Sequence, residues 1–324
     1  MRRPTRNKQL AALAALVVAV LALTVAACGE DGGGGGDEAG AKNQPIKRNP
    51  RNASKSATVG SKNFPEQLVL GEIYAQALAA AGYKVDKELN LGSEVVAFKA
   101  LREGDVDAYP EYTGTVLTTL YKVDAQDVPK QPDRAFEQAK RRLKRDRITA
   151  LPRSPFENTY RLGATKQTAQ RLGVRNTSDL RGKATRLKIT GYPECRQRLD
   201  CFVGVQRTYR LRFQDFVASE QTYEVLDQRE ADVGFLFTTD AQLSTGKYQT
   251  FEDDRNFFPP YNVSLLVRDR ALKKLGPEAQ KVVEQVQRPL TEPVMIELNS
   301  RVVLDKEEPE DVARQYLRAE GFVR

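Results

Sequence analysis

Two stretches of the chain, 125 residues apart, repeat one pattern of residue types. They are Phe98-Lys-Ala-Leu101-Arg-Glu-Gly-Asp-Val106-Asp107-Ala-Tyr-Pro-Glu-Tyr112-Thr113 and Tyr223-Glu-Val-Leu226-Asp-Gln-Arg-Glu-Ala231-Asp232-Val-Gly-Phe-Leu-Phe237-Thr238. Each reads as the end of an amphipathic helix, a turn, and a short strand that ends on an aromatic ring followed by threonine. Ligands of open α/β sheets bind beyond the C-terminal ends of the strands. The two units therefore put Tyr112 and Phe237 at equivalent points of two lobes, facing a cleft lined by aromatic rings.

Histidine and tryptophan are both absent. That removes the commonest general base, the commonest metal ligand and the strongest cation-binding ring at once. An aromatic site must be built from the 12 Tyr and 13 Phe. There is no Gly-x-Ser-x-Gly elbow, so an exported hydrolase would have to rest on Ser61-Lys62. The residue types thus point away from an enzyme, from a metal centre and from a cofactor.

The elements that must position these rings follow from size and pattern. With 324 residues and 40% apolar content, the chain can fill two domain cores. Patterning predicts strands over 57–60, 83–89, 160–164, 187–190 and 263–267. It predicts helices over 67–81, 94–103, 167–172, 202–209, 272–286 and 291–304. This alternation argues for α/β architecture with a mostly parallel sheet. A chain that leaves one lobe and returns gives lobe I from 57–155 plus 262–324 and lobe II from 156–261. The crossings, near Pro155 and Pro259, form a two-strand hinge.

The N-terminus has a basic region ending at Lys8 and an apolar run over 10–27, the anatomy of a secretory signal peptide spanning 1–27. The run ends Leu23-Thr-Val-Ala-Ala27-Cys28-Gly29, which resembles the lipobox of bacterial lipoproteins and implies acylation of Cys28. Residues 28–56 are Gly-rich and polar, the composition of a flexible tether. The expected location is extracytoplasmic, lipid-anchored to the outer face of the cell membrane. Export also makes a disulfide between Cys195 and Cys201 the expected state, ahead of a metal site with an incomplete shell. Of the formal +8 charge, Arg2, Arg3, Arg6 and Lys8 belong to the leader, and the +4 left is too small to suggest nucleic acid. The basic run over 140–145 reads as the solvated face of a helix whose apolar side carries Phe136, Ala139 and Leu143.

Five motifs then occur in order: Val59-Gly-Ser-Lys-Asn-Phe-Pro-Glu-Gln-Leu-Val-Leu-Gly-Glu72, Tyr109-Pro-Glu-Tyr-Thr-Gly-Thr115, Glu157-Asn-Thr-Tyr160, Phe235-Leu-Phe-Thr-Thr-Asp240 and Phe258-Pro-Pro-Tyr-Asn262. Across 57–324 the chain resembles the osmoprotectant-binding proteins of ABC transporters, the glycine betaine, carnitine and choline receptors of the OpuAC/ProX type. The resemblance implies a two-lobed, type II periplasmic-binding-protein-like α/β fold, with two mostly parallel or mixed sheets and flanking helices. It implies that Tyr112, Tyr160, Phe237 and Tyr261 form an aromatic cage for a trimethylammonium group, and that Lys62, Thr115 and Arg198 hold the ligand's carboxylate. A quaternary ammonium has no N–H to donate, so ring faces supply the attraction, about 0.5–2 kcal/mol each. Two departures stand out: Phe237 lies where the family frequently has tyrosine, and the cysteine pair alters the loop around Arg198.

With Lys62 and Arg198 both positive, a zwitterion such as glycine betaine, proline betaine or carnitine is expected ahead of choline. The resemblance further implies an ABC permease subunit as partner, no cofactor and a monomeric receptor that closes its lobes on the ligand. A sensory or scaffold lipoprotein would share fold and pocket.

Overall fold

The computed structural model describes residues 43–324. The expected signal peptide, Cys28 and the first part of the expected tether lie outside the described residues. The remainder of that tether makes contacts with the folded body. Residues 43–55 lie along lobe I: Ile46 donates its N–H to Phe322 O at 2.9 Å, and Asn52, fully buried, donates to Ala81 O at 3.0 Å and to Glu278 at 3.2 Å. Asn52 and Lys55, polar residues of that segment, donate to the backbone carbonyls of Ala81 and Leu275.

Two five-stranded sheets share one plan. In lobe I, β1 (Ser56–Gly60), β2 (Lys84–Glu88), β3 (Ala108–Tyr112), β4 (Ile148–Ala150) and β10 (Val263–Arg268) lie in the order β2-β1-β3-β10-β4. In lobe II, β5 (Tyr160–Thr165), β6 (Lys188–Gly191), β7 (Asp215–Ala218), β8 (Val233–Phe237) and β9 (Tyr248–Thr250) lie in the order β7-β6-β8-β5-β9. The first three strands of each order are parallel, and the last two pair antiparallel with their neighbours. The sheets are therefore mixed rather than mostly parallel. β5 and β10 are the strands by which the chain enters each lobe from the hinge; they begin where β8 and β3 end, so they must run the opposite way.

The repeated sequence pattern has a structural basis. α2 (Glu94–Glu103) ends at Gly104 with φ 96°, and α7 (Thr222–Asp227) is followed by Arg229, at the matching position, with φ 61°. The left-handed turn is easy for glycine and is imposed by context on arginine. The two aligned aspartates then perform one task. Asp107 exchanges bonds with the backbone of Thr58 on β1, and Asp232 does so with Lys188 on β6. Each clamps the central strand to its parallel neighbour and so fixes where Tyr112 or Phe237 emerges.

Helices cover both sheets. α1 (Pro65–Ala80) is apolar nearly all round, with Val69, Leu70, Ile73, Tyr74 and Ala77 fully buried, because it is enclosed by the sheet on one side and by α9 (Pro277–Gln287), α10 (Glu292–Val303) and α11 (Pro309–Ala319) on others. The helix expected over 272–286 is two, α8 (Asp269–Leu275) and α9, broken at Gly276-Pro277. The remaining helices are α3 (Thr113–Thr115), α4 (Pro132–Leu143), α5 (Lys166–Leu172) and α6 (Phe202–Tyr209). The two crossings between sheets run antiparallel, joined by Ser154 N–H to Val263 O at 2.7 Å and Asn158 N–H to Tyr261 O at 3.1 Å.

Candidate functional site

One cavity between the two sheets collects every ligand-binding residue named from the sequence: Lys62, Tyr112, Thr115, Tyr160, Arg198, Phe237 and Tyr261. Tyr112 closes β3 and Phe237 closes β8. Tyr160 opens β5 and is the direct cross-strand partner of Phe237, with ring centroids 4.6 Å apart. Tyr261 lies in the second crossing, its ring edge-on to Tyr160 at 5.6 Å. The ring of Tyr261 also rests on Gly114, where a β-carbon would stand 2.5 Å from Tyr261 Cε1. The glycine of Tyr-Thr-Gly-Thr is thus required by close approach, and it sets the spacing between Tyr261 and the end of β3.

Among the further lining residues that the sequence reading did not single out are Phe64, Glu94, Asn158 and Tyr192. Phe64 is held extended (φ −133°, ψ 158°) before Pro65, the conformation expected of a pre-proline residue. Its ring lies 6.5 Å from Phe237 at 6° and 6.1 Å from Tyr112 at 19°. An aromatic residue between β1 and a proline-led helix, at the C-terminal edge of the sheet, was the available signal. Tyr192 meets Phe237 edge-on at 6.1 Å, a contact between loops that no spacing in the sequence announces.

The cations of the site are already matched, which corrects the expectation of two uncompensated positive charges. Lys62 is 4% exposed and ion-paired with the fully buried Glu111. Its ammonium also lies 4.6 Å from the centre of the Tyr112 ring. Burial raises the Glu111 pKa above the ordinary carboxylate value even with Lys62 beside it. Arg198 binds Asp200 with both ends of its fork, at 2.9 and 2.7 Å, and reaches across the cleft to Glu94 at 3.3 Å and Thr115 at 3.4 Å. Its guanidinium stands 5.5 Å from the centre of the Tyr160 ring. Burial alone would raise the Asp200 pKa, but Arg198 with the hydroxyls of Thr118 and Tyr261 outweighs it, and the carboxyl sits below its ordinary value. Asp200 stands two positions from Arg198, but the contacts of Arg198 with Glu94 and Thr115 and the pair Lys62–Glu111 join residues 49 or more positions apart, which spacing in the sequence does not announce.

The Arg198 loop is short and closed. Cys195 and Cys201 are joined as a disulfide with a Cα–Cα distance of 5.3 Å, and α6 starts at the next residue. The closure holds Arg198 and Asp200 against the cleft. Ser61 is not set up as a nucleophile: its hydroxyl donates to Lys62 O at 3.1 Å and accepts from Asn90 N–H, while the Lys62 ammonium is turned to Glu111.

Just beyond Phe237, Asp240 accepts the Phe237 N–H and the Tyr223 O–H, each at 2.7 Å. Burial pushes its carboxyl from 3.8 up to about 7, against the lowering effect of those two bonds. A group that binds its proton more tightly when folded gives stability that is present in full below pH 4 and is lost as pH rises to 7. The Asp240→Asn variant is therefore expected to lose this fall. Urea midpoints taken from pH 4 to 8 should show the variant gaining a few kcal/mol on the parent protein across that window. A constant difference between the two would refute it.

Comparison with known proteins places the whole described fold. A family described as the substrate binding domain of ABC-type glycine betaine transport systems matches residues 55–319. The chain is 30% identical over 280 residues to a protein of Helicobacter pylori (strain G27) named as an ergothioneine transport permease/ergothioneine binding protein, covering 84% of this chain and 49% of that one. It thus spans about half the length of that relative. It is 28% identical over 279 residues to the glycine-betaine-binding protein of Pseudomonas aeruginosa, covering 82% of this chain and 88% of that one. A crystal structure of a glycine betaine/carnitine/choline ABC transporter protein superposes with a TM-score of 0.66 at 23% identity, over 81% of this chain and 98% of that one. These relatives are named for transport or solute binding rather than for catalysis. By a match that runs through both lobes and both crossings, the chain belongs to the family of substrate-binding domains of ABC-type glycine betaine transport systems.

Proposed function

We propose that this protein is an extracytoplasmic receptor that closes on a quaternary ammonium compatible solute, of the glycine betaine, proline betaine or carnitine type, and delivers it to an ABC permease subunit. The observation that carries the reading is the convergence of rings from both lobes and both crossings on one cavity. Tyr112, Tyr160, Phe237 and Tyr261, joined by Phe64, offer ring faces to a cation that cannot be bound by hydrogen bonds. Burial, then the neighbouring Glu66 and Asp200, raise the pKa of the Tyr112 and Tyr261 hydroxyls, so both rings stay neutral donors at physiological pH. Thr115 and the outer nitrogens of Arg198 are the groups available to a carboxylate. Acylation at Cys28 would keep the receptor on the outer face of the membrane.

A second ligand reading has its own support. With Lys62 paired to Glu111 and Arg198 to Asp200 and Glu94, the walls carry no uncompensated positive charge, so choline is not repelled as the sequence alone suggested. Glu194 also lines the cavity with no side-chain hydrogen bond among the described residues. A free carboxylate there suits a larger betaine with ring N–H groups. Ergothioneine, for which the Helicobacter pylori relative is named, is such a betaine.

Titration calorimetry against glycine betaine, proline betaine, carnitine, choline and ergothioneine tests both. Micromolar or tighter binding of a carboxylated quaternary amine is the expected result. Binding of choline alone would remove the carboxylate role of Thr115 and Arg198. Binding of none would remove the proposal.

A further inference from the structure

Glu66 is a buried carboxylate that the ligand cavity does not use, and its surroundings are unusual. It is 3% exposed and no lysine or arginine is paired with it among the described residues. Its charge is met by the first turn of α1, in which it stands, and by four side-chain donors. These are Tyr112 O–H at 2.7 Å, Asn158 Nδ2–H at 2.9 Å, Thr239 O–H at 2.5 Å and Asn299 Nδ2–H at 2.8 Å. Four donors match the lone pairs of one carboxylate.

The donors come from four parts of the molecule. Tyr112 is a ring of the cavity in lobe I, Asn158 belongs to the first crossing, Thr239 follows β8 in lobe II, and Asn299 is on α10 of lobe I. Asn299 also donates to Thr239 O at 2.9 Å, which doubles the link between lobes. Both amides leave their own buried oxygens, Asn158 Oδ1 and Asn299 Oδ1, without a donor. An unmatched buried oxygen is costly, so it is the carboxylate that dictates which way each amide points.

From this geometry we infer that Glu66 is a positioning residue that couples the cage to closure: it orients the Tyr112 ring through its hydroxyl, and its bonding is complete only when Thr239 of lobe II has docked. The inference rests on the reading of the cavity as a ligand site closed by lobe movement. None of the four bonds involves a ligand atom, so the latch also favours the closed form of the ligand-free protein.

The test uses Thr239→Val, which keeps the shape and removes the donor, Thr239→Ser, which keeps the donor, and Glu66→Gln. In small-angle scattering of the ligand-free protein, Thr239→Val and Glu66→Gln are expected to raise the radius of gyration, and Thr239→Ser to leave it at the parent value. In glycine betaine titrations, Tyr112→Phe and Thr239→Val are each expected to weaken binding about 3–10-fold, with the double variant weaker by clearly less than the product. Unchanged scattering in both Thr239→Val and Glu66→Gln would overturn the latch, and independent multiplication of the two losses would overturn its coupling to the cage. If glycine betaine fails to bind the parent protein, that ligand reading falls while the scattering result still decides the latch.

Discussion

Replacing Asp200 by alanine is expected to cost about 3–5 kcal/mol of stability, the usual penalty for leaving one partner of a buried ion pair uncompensated. Asp200 is fully buried. It fixes both ends of the Arg198 fork, accepts the Thr118 hydroxyl from lobe I at 2.6 Å, and accepts the Tyr261 hydroxyl at 2.6 Å. Alanine would leave Arg198 with Glu94 and a tyrosine face as its only compensation and would strand the Tyr261 hydroxyl, while Thr118 keeps Gly114 O at 2.9 Å. Because Tyr261 and Arg198 both line the cavity, affinity for any ligand bound there should fall with stability, by about 30-fold or more at a temperature where the variant is still folded.

The pH dependence separates this group from its neighbours. Asp200 has a folded pKa below its ordinary value, so its stabilisation is complete above pH 4 and disappears as pH falls through the folded pKa. Asp200→Asn should therefore approach the parent protein in stability only under strongly acidic conditions. Urea unfolding of both variants at neutral and acidic pH would measure this, and a parent-like midpoint at pH 7 would contradict the assignment.

Tyr160→Leu should weaken binding of a quaternary amine about 5–30-fold, whereas Tyr160→Phe should change it by no more than about 3-fold. Tyr160 is the hub of the cage: Phe235, Phe237, Phe258 and Tyr261 all have ring centroids within 6.1 Å of its own. Leucine keeps most of the apolar volume and removes the ring face, so the comparison isolates cation attraction from packing. The Tyr160 hydroxyl makes no hydrogen bond among the described residues, so phenylalanine leaves the ring in place with little else lost. Calorimetry with one ligand across the three proteins reads the difference. Equal losses in the leucine and phenylalanine variants would mean that the hydroxyl, not the face, does the binding.

Much of this arrangement was legible in the residues. The aspartates of the duplicated stretches, Asp107 and Asp232, recur because the same parallel strand must be clamped in each lobe, and a local task leaves a local trace. α2 begins and ends where its pattern put it, since Gly104 supplies the left-handed turn that stops it. Phe64 escaped notice because its role depends on a ring 173 positions away, Phe237, brought near only by closure of the sheets. The short edge strands β4, β7 and β9 left little pattern, because three or four residues hold too few alternations to be read.

The sequence by itself determined which side chains are available: rings without tryptophan, no histidine, a pair of strands that end on aromatics, and motifs that carry Lys62 and Thr115. Only the tertiary structure decided their electrostatic state. Lys62 and Arg198 count as positive charges in a string of letters, yet in the folded site Lys62 is neutralised by Glu111, 49 positions away, and Arg198 by its neighbour Asp200 together with Glu94 from the other lobe. A charge acts over a few ångströms in a buried site. Its partner there is chosen by what the fold packs beside it: strand β3 with Glu111 for Lys62, and for Arg198 the helix α2 of the facing lobe, which adds Glu94 to Asp200.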